Sequence, residues 1–122
     1  MTLVLVDTSI WIDFLRSGDS QLTKLLEANQ VCMHSMIVGE LACGNLQQRK
    51  ELLMLWNNLP RAIEASHQEA LFFLEKNRLM GRGIGYIDLH LLASVALSPD
   101  TKLWTRDRRL HKVATESKLS FV

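Results

Sequence analysis
Among the thirteen acidic residues of this 122-residue chain, two are costly because of their neighbours. Glu40 stands in "IVGELACG", and three and four positions away on a helix lie Met36, Ile37, Cys43 and Gly44, all apolar or bare. Asp88, in "GYIDLHLL", has Ile84, Gly85, Leu91 and Leu92 at the same offsets. A carboxylate buried without a partner costs several kcal/mol or takes up a proton, so both acids call for a cation or strong donors. Asp13 is the contrast: Ser9, Arg16 and Ser17 surround it, and it reads as a solvated helix residue. Asp7 and Asp107 follow apolar runs, "LVLV" and "TKLW", in the position where an open α/β sheet collects ligand-binding groups at its carboxyl edge. Each taken alone reads equally as a helix N-cap, and Asp88 also suits the positive end of its helix. Taken together, with no Lys or Arg within a helical turn of Glu40, the four acids point to a hard divalent cation held by oxygen, Mg²⁺ or Mn²⁺.

The elements that must position these residues follow from periodicity. Short apolar runs at 3–6, 30–33, 101–104 and 119–122, with a weaker one at 62–65, have the look of strands buried on both faces of a parallel sheet. Between them lie helical patterns at 9–16, 22–29, 35–59, 86–97 and 108–117. Another begins at "SHQE", where the Ser66 hydroxyl and the Glu69 carboxylate form a capping box, and Gly81 suits its stop. Strands alternating with helices predict an α/β sandwich around a parallel sheet.

Composition narrows the class. With 48% apolar and 22% charged residues the chain is a soluble globular protein, and 122 residues suit one domain, 1–122. The net charge of +1 is uninformative. No apolar run approaches the roughly 18 residues of a membrane span, and Asp7 and Asp13 interrupt the N-terminal stretch, so no membrane association and a cytoplasmic location are expected. Cys32 and Cys43 lack CxxC spacing and sit in apolar surroundings, which predicts free buried thiols; the four histidines form no ligand pair.

An N-terminal strand ending in "VDTSIWIDFLR", then "IVGELACGNL", "GIGYIDLHLLASVAL" and "LWTRDRRL", resembles the PIN-domain nucleases, and closely the VapC-type toxins of toxin–antitoxin pairs. The likeness covers nearly the whole chain. It implies a PIN-like α/β/α sandwich and Mg²⁺-dependent hydrolysis of RNA phosphodiester bonds, with Mn²⁺ able to substitute. It further implies a cognate antitoxin that inhibits the enzyme. Carried over by position, it places the acidic cluster on Asp7, Glu40, Asp88 and Asp107. Asp7 and Asp88 are then the main metal ligands, Glu40 binds metal through water or orients the nucleophile, and Asp107 completes a second metal position or holds that water. Thr105 takes the hydroxyl position of a "TxD" element, and Thr8 or Ser9 supports the first acid.

A pocket of acids repels a polyanion, so RNA needs cations at the rim. Arg106, Arg108, Arg109 and Lys112 are the candidates, with Arg78 and Arg82 extending them; the alternative is a solvated helix face. Trp11, Phe14 and Leu15 read either as core or as a groove for an antitoxin helix, and "ALFFLEKNRLMG" either as core or as a homodimer face. Two other classes fit the acids less well. A phosphoacceptor signalling domain needs paired acids after its first strand and an acceptor Asp after its third, whereas "VDTS" offers one acid and residues 50–60 contain no Asp. An aspartyl-nucleophile phosphatase wants an acid where Ser9 stands. A catalytically idle PIN fold serving as a binding module is the remaining alternative, against which all four acids are present.

Overall fold
The computed structural model describes all residues, 1–122. Three parallel strands, β1 (Leu3–Val6), β2 (Val31–Cys32) and β3 (Thr101–Trp104), pair in the order β2-β1-β3. Single bridges extend the sheet on both sides, Met33 to Arg61 and Leu103 to Ser120. Seven helices flank it: α1 (Thr8–Ser17), α2 (Ser20–Glu27), α3 (Ser35–Ala42), α4 (Arg49–Asn58), α5 (His67–Asn77), α6 (Tyr86–Leu97) and α7 (Arg108–Glu116). This is the α/β/α sandwich that the alternation of patterns predicts.

The central strand explains the core. Val4, Leu5 and Val6 are fully buried because helices cover both faces of β1, and Leu103 of β3 and Val31 and Cys32 of β2 join them. Trp11 of α1 and Trp56 of α4 meet edge to face at 5.8 Å between ring centroids, which pins these helices to one side. Trp11 is therefore core, while Leu15, one turn on, is exposed. No helix is long and apolar enough to cross a membrane.

Four expectations need correction. The pattern at 35–59 is two helices, α3 and α4, since Gly44 and Asn45 open a turn and Gln48 enters α4 from a left-handed backbone at φ 54°. The helix that starts at the Ser66 capping box stops earlier than Gly81: Arg78 takes the left-handed cap at φ 52°, and Gly81 serves in the loop that follows. Neither the run at 62–65 nor that at 119–122 forms a strand: the second supplies a single bridge at Ser120, and on the other side the single bridge falls at Arg61, just before the first. Cys43, at the end of the short α3, is exposed; Cys32 is buried as expected, and burial pushes its thiol up to about 11.

Candidate metal centre
Strand β1 ends at the centre of the sheet, and the chain goes on to place β2 on one side of it and β3 on the other. Such a switch point opens a crevice at the carboxyl ends of the strands. Val6 pairs with Trp104, and the Asp7 amide continues the ladder by donating to the Trp104 carbonyl at 2.9 Å, which sets Asp7 beside Thr105. The Thr105 hydroxyl donates to Asp7 Oδ2 at 2.7 Å, and Ser9 donates to the same oxygen at 3.0 Å. The Asp107 amide in turn donates to Thr105 Oγ1 at 3.1 Å. Thr105 thus joins the first and last acids in one hydrogen-bonded chain, and Asp7 is buried beneath it.

The other two acids arrive on helices. Thr8 Oγ1 donates to Glu40 Oε1 at 2.8 Å, tying the start of α1 to α3. Asp88, in the first turn of α6, accepts the Gly85 amide on Oδ2 at 3.2 Å, and Asp107 accepts the Leu110 amide on Oδ1 at 3.0 Å as the N-cap of α7. The cap reading and the site reading of Asp107 are therefore compatible, because capping uses one oxygen. The same holds for all four acids: one oxygen of each is fixed by a donor from the chain, and its second oxygen has no hydrogen-bond donor or ion-pair partner.

The Asp88 carboxyl is pushed above the ordinary carboxylate range, first by burial, against which the Gly85 amide pulls, and then by the charges of Asp7, Asp107 and Glu40. The charges of all three other acids thus act on Asp88. Their burial differs from expectation. Glu40 and Asp107 are exposed at the mouth, Asp88 is half-buried and only Asp7 is buried. The two-turn α3 buries Ile37 and Leu41 and turns Glu40 toward an open groove of about 610 Å³ that Ile12, Leu15, Leu46 and Leu52 also line.

No three carboxylate, imidazole or thiolate groups close on one point tightly enough to enclose a metal ion. A closed structural zinc site takes four side-chain ligands, whereas Mg²⁺ keeps several waters and takes one or two carboxylates plus substrate oxygens. The all-oxygen donor set with free second oxygens fits that hydrated mode.

The cations divide into two groups. Arg106 forms ion pairs with Asp13 and Asp19, and Arg82 with Glu116 at 2.8 Å, so both are engaged within the chain. The pairing also corrects the reading of Asp13 as merely solvated. Arg108, Lys112 and Arg78 are exposed and have no ion pair, and the Arg109 side chain lies across Gly83. Asp19 went unnoticed in the sequence; its signal was the N-cap pattern "DSQL", for its side chain accepts the Leu22 amide at 3.0 Å.

Comparison with known proteins agrees with this architecture. The family model described as "PIN domain" matches residues 4–116. The chain is 43% identical over 115 residues to the protein named "Ribonuclease VapC32" of Mycobacterium tuberculosis, in strain CDC 1551 / Oshkosh and in strain ATCC 25618 / H37Rv, covering 94% of this chain and 93% of each relative. With the sheet order, the match along nearly its full length and this identity, the chain belongs to the PIN-domain family and within it to the VapC type.

Proposed function
We propose that the chain is a Mg²⁺-dependent endoribonuclease acting in the cytoplasm as the toxin of a toxin–antitoxin pair. The observation that carries this reading is the set of four acids at the sheet's carboxyl edge, three of them acting by charge on Asp88 and none paired with a cation from the chain. The similarity to a protein named as a ribonuclease supports it.

Asp7 and Asp88 would hold the ion, with Glu40 and Asp107 at its outer positions, and Mn²⁺ would serve in place of Mg²⁺. When bound, the ion supplies polarisation of the scissile phosphate and an acidified water. The chain's own part is positioning. Ser9 and Thr105 fix one oxygen of Asp7, so that the other is presented in a single orientation, and Thr8 does the same for Glu40. The exposed carboxylates of Glu40 and Asp107 are placed to orient water and take up its proton. Arg108, Arg109 and Lys112 at the start of α7 counter the repulsion between acids and RNA. The groove along Ile12, Leu15 and Leu52 beside Glu40 suits an apolar antitoxin helix that covers the site while it binds. Exposed Phe72 lines a cleft of about 530 Å³ between α5 and α6 that suits a second copy of the chain.

The test uses purified, antitoxin-free protein on RNA. Cleavage is expected with Mg²⁺ or Mn²⁺ and none in excess EDTA, and expression is expected to arrest bacterial growth in the wild type but not in Asp7→Asn. Undiminished cleavage in chelator, or growth arrest by Asp7→Asn, would overturn the reading.

A further inference from the structure
Behind the acids, and away from any metal ligand, a buried polar cluster joins the two helices that carry Glu40 and Asp88. His34 is the N-cap of α3, and its Nδ1 accepts the Met36 amide at 3.0 Å. The neutral ring therefore carries its proton on Nε2, which lies 3.0 Å from Ser94 Oγ on α6 and donates to it. Ser94 Oγ also accepts the Ala65 amide at 2.9 Å, and both His34 and Ser94 are buried. Next to the cap, Glu64 Oε2 accepts the Ser35 amide at 2.9 Å and the Ser35 hydroxyl at 2.7 Å, and Arg61 lies 3.7 Å from the same oxygen.

We propose that His34 is a positioning residue for the acid cluster: in its neutral form it caps α3, the helix of Glu40, and fastens it to α6, the helix of Asp88. This rests on the metal-site reading of those acids. Glu40 lies six positions after His34 and Ser94 six after Asp88, so the link is made at the rear end of the short span of helix that sets the two carboxylates apart. Protonation breaks the link at one atom. A doubly protonated ring has no acceptor at Nδ1, and an N–H would then face the Met36 N–H.

The groups facing the ring are Glu64 and Arg61 on the segment bridged to Met33, and His90 on α6. Burial of the ring is the largest influence and holds its pKa below the ordinary histidine range; Glu64 works against it, while His90 and Arg61 add to it. A depressed folded-state pKa means that the cap is complete above the unfolded-state value and is lost as pH falls through the folded one.

The experiment is an NMR titration of the metal-free full chain from about pH 7.5 down to about pH 4.5, the window on the acid side of neutral imidazole. It is run in the Asp88→Asn background so that this carboxyl's own response is absent. The amides of Met36 and Glu40, and those flanking Ser94, are expected to shift with the same midpoint as the His34 ring. In His34→Asn, whose side chain still accepts at an N-cap but neither titrates nor reaches Ser94, that midpoint is expected to vanish. In Ser94→Ala the α6 response should disappear while that of Met36 remains, and this variant carries the test should His34→Asn fold poorly. With Asp88 intact, calorimetry at neutral pH should show Mg²⁺ binding several-fold weaker in Ser94→Ala than in wild type. The proposal is overturned if the ring titrates without Met36 and Glu40 following, or if it stays neutral until circular dichroism shows the chain unfolding. Wild type failing to bind Mg²⁺ would overturn the function proposed above, not the link, which the amide titrations decide.

Discussion

Arg106 and Asp107 are adjacent in the chain, yet the two belong to acid groups that the fold handles in opposite ways. Asp13 and Asp19 converge on the Arg106 guanidinium, one on each terminal nitrogen, with the Asp19 contact at 2.6 Å. Asp7, Glu40, Asp88 and Asp107 converge on nothing that the chain supplies. The Asp19 carboxyl is accordingly held below its ordinary range, chiefly by the Leu22 amide, with Arg106 adding to this against the effect of burial, whereas that of Asp88 is raised. One acid group is paired by a cation of the chain and the other is not. Arg106 also ties the two together, because its amide donates to Ser9 Oγ at 3.1 Å, and Ser9 holds Asp7.

The largest expected contrast is in activity. Asp88→Asn and Asp7→Asn should each lower RNA cleavage by about a hundredfold or more, the scale of losing one electrostatic contribution to a transition state. Neither should lower the melting temperature of the metal-free protein. The sign for Asp88 follows from its raised pKa. The stability it contributes is present below the unfolded-state carboxylate value and is lost as pH rises through the folded value, so at neutral pH its ionised form opposes folding. Thermal melts at neutral pH check this. A variant that unfolds would make the acid a structural cap and would remove the distinction from the Arg106 group.

Next in size is the response to metal. Saturation at a hundred times the dissociation constant stabilises a folded protein by about 2.7 kcal/mol. Wild type should gain thermal stability with added Mg²⁺ on this scale, Asp88→Asn should not, and Asp13→Ala should gain as much as wild type. Equal gains in all three would show that the ion acts on general surface charge.

How much of this contrast was legible in the sequence depends on whether its cause is local. Asp7 and Asp107 could be placed because the first directly follows an apolar run and the second comes three positions after one, and runs of that kind end at the sheet's carboxyl edge. The Ser66 capping box was legible for the same reason, since Ser66 and Glu69 are three apart and both of its hydrogen bonds form. Glu40 was located, but its burial was misjudged: helical spacing gives neighbours along the helix, not which face of a two-turn helix the rest of the fold covers. The Arg106 pairs were out of reach, because Asp13 and Asp19 lie 93 and 87 residues away along the chain, and only the β1–β3 pairing brings them together. The His34 link to Ser94, 60 residues apart, was hidden likewise.

Arg106→Ala sharpens the comparison from the other side. Exposed ion pairs contribute up to about 1 kcal/mol and weaken with salt, so a loss of that order at low salt is expected, smaller at high salt. Part of it should vanish on acidification, since the stabilisation from Asp19 is present above its unfolded-state pKa and lost as pH falls through its depressed folded value. Cleavage and RNA affinity should both change little, because the contact to Ser9 is made by the backbone amide of residue 106, which alanine keeps. A marked drop in RNA affinity, measured on a non-cleavable substrate, would instead return Arg106 to the rim.

The smallest effect concerns the cations that remain outside any pair. Arg108 and Lys112 have no partner in the chain, while Arg109 is laid against the loop before α6: a Cβ at Gly83 would come within 2.7 Å of its Cδ, and Gly83 itself has φ +80°. If free cations serve RNA and engaged ones serve the fold, Arg108→Ala and Lys112→Ala should each reduce the salt dependence of binding to single-stranded RNA by about 0.7. Mg²⁺ affinity should stay the same in both. Arg109→Ala should change that slope no more than they do, and should in addition alter the loop, visible as faster amide exchange over residues 79–85, because it removes the chain packed on Gly83. Binding curves for the three variants at several salt concentrations, together with that exchange measurement, decide the matter. Unchanged slopes for Arg108→Ala and Lys112→Ala would mean that the start of α7 is only a solvated face, and would move the search for the RNA contact to Arg78, the remaining unpaired arginine among the candidates for the rim.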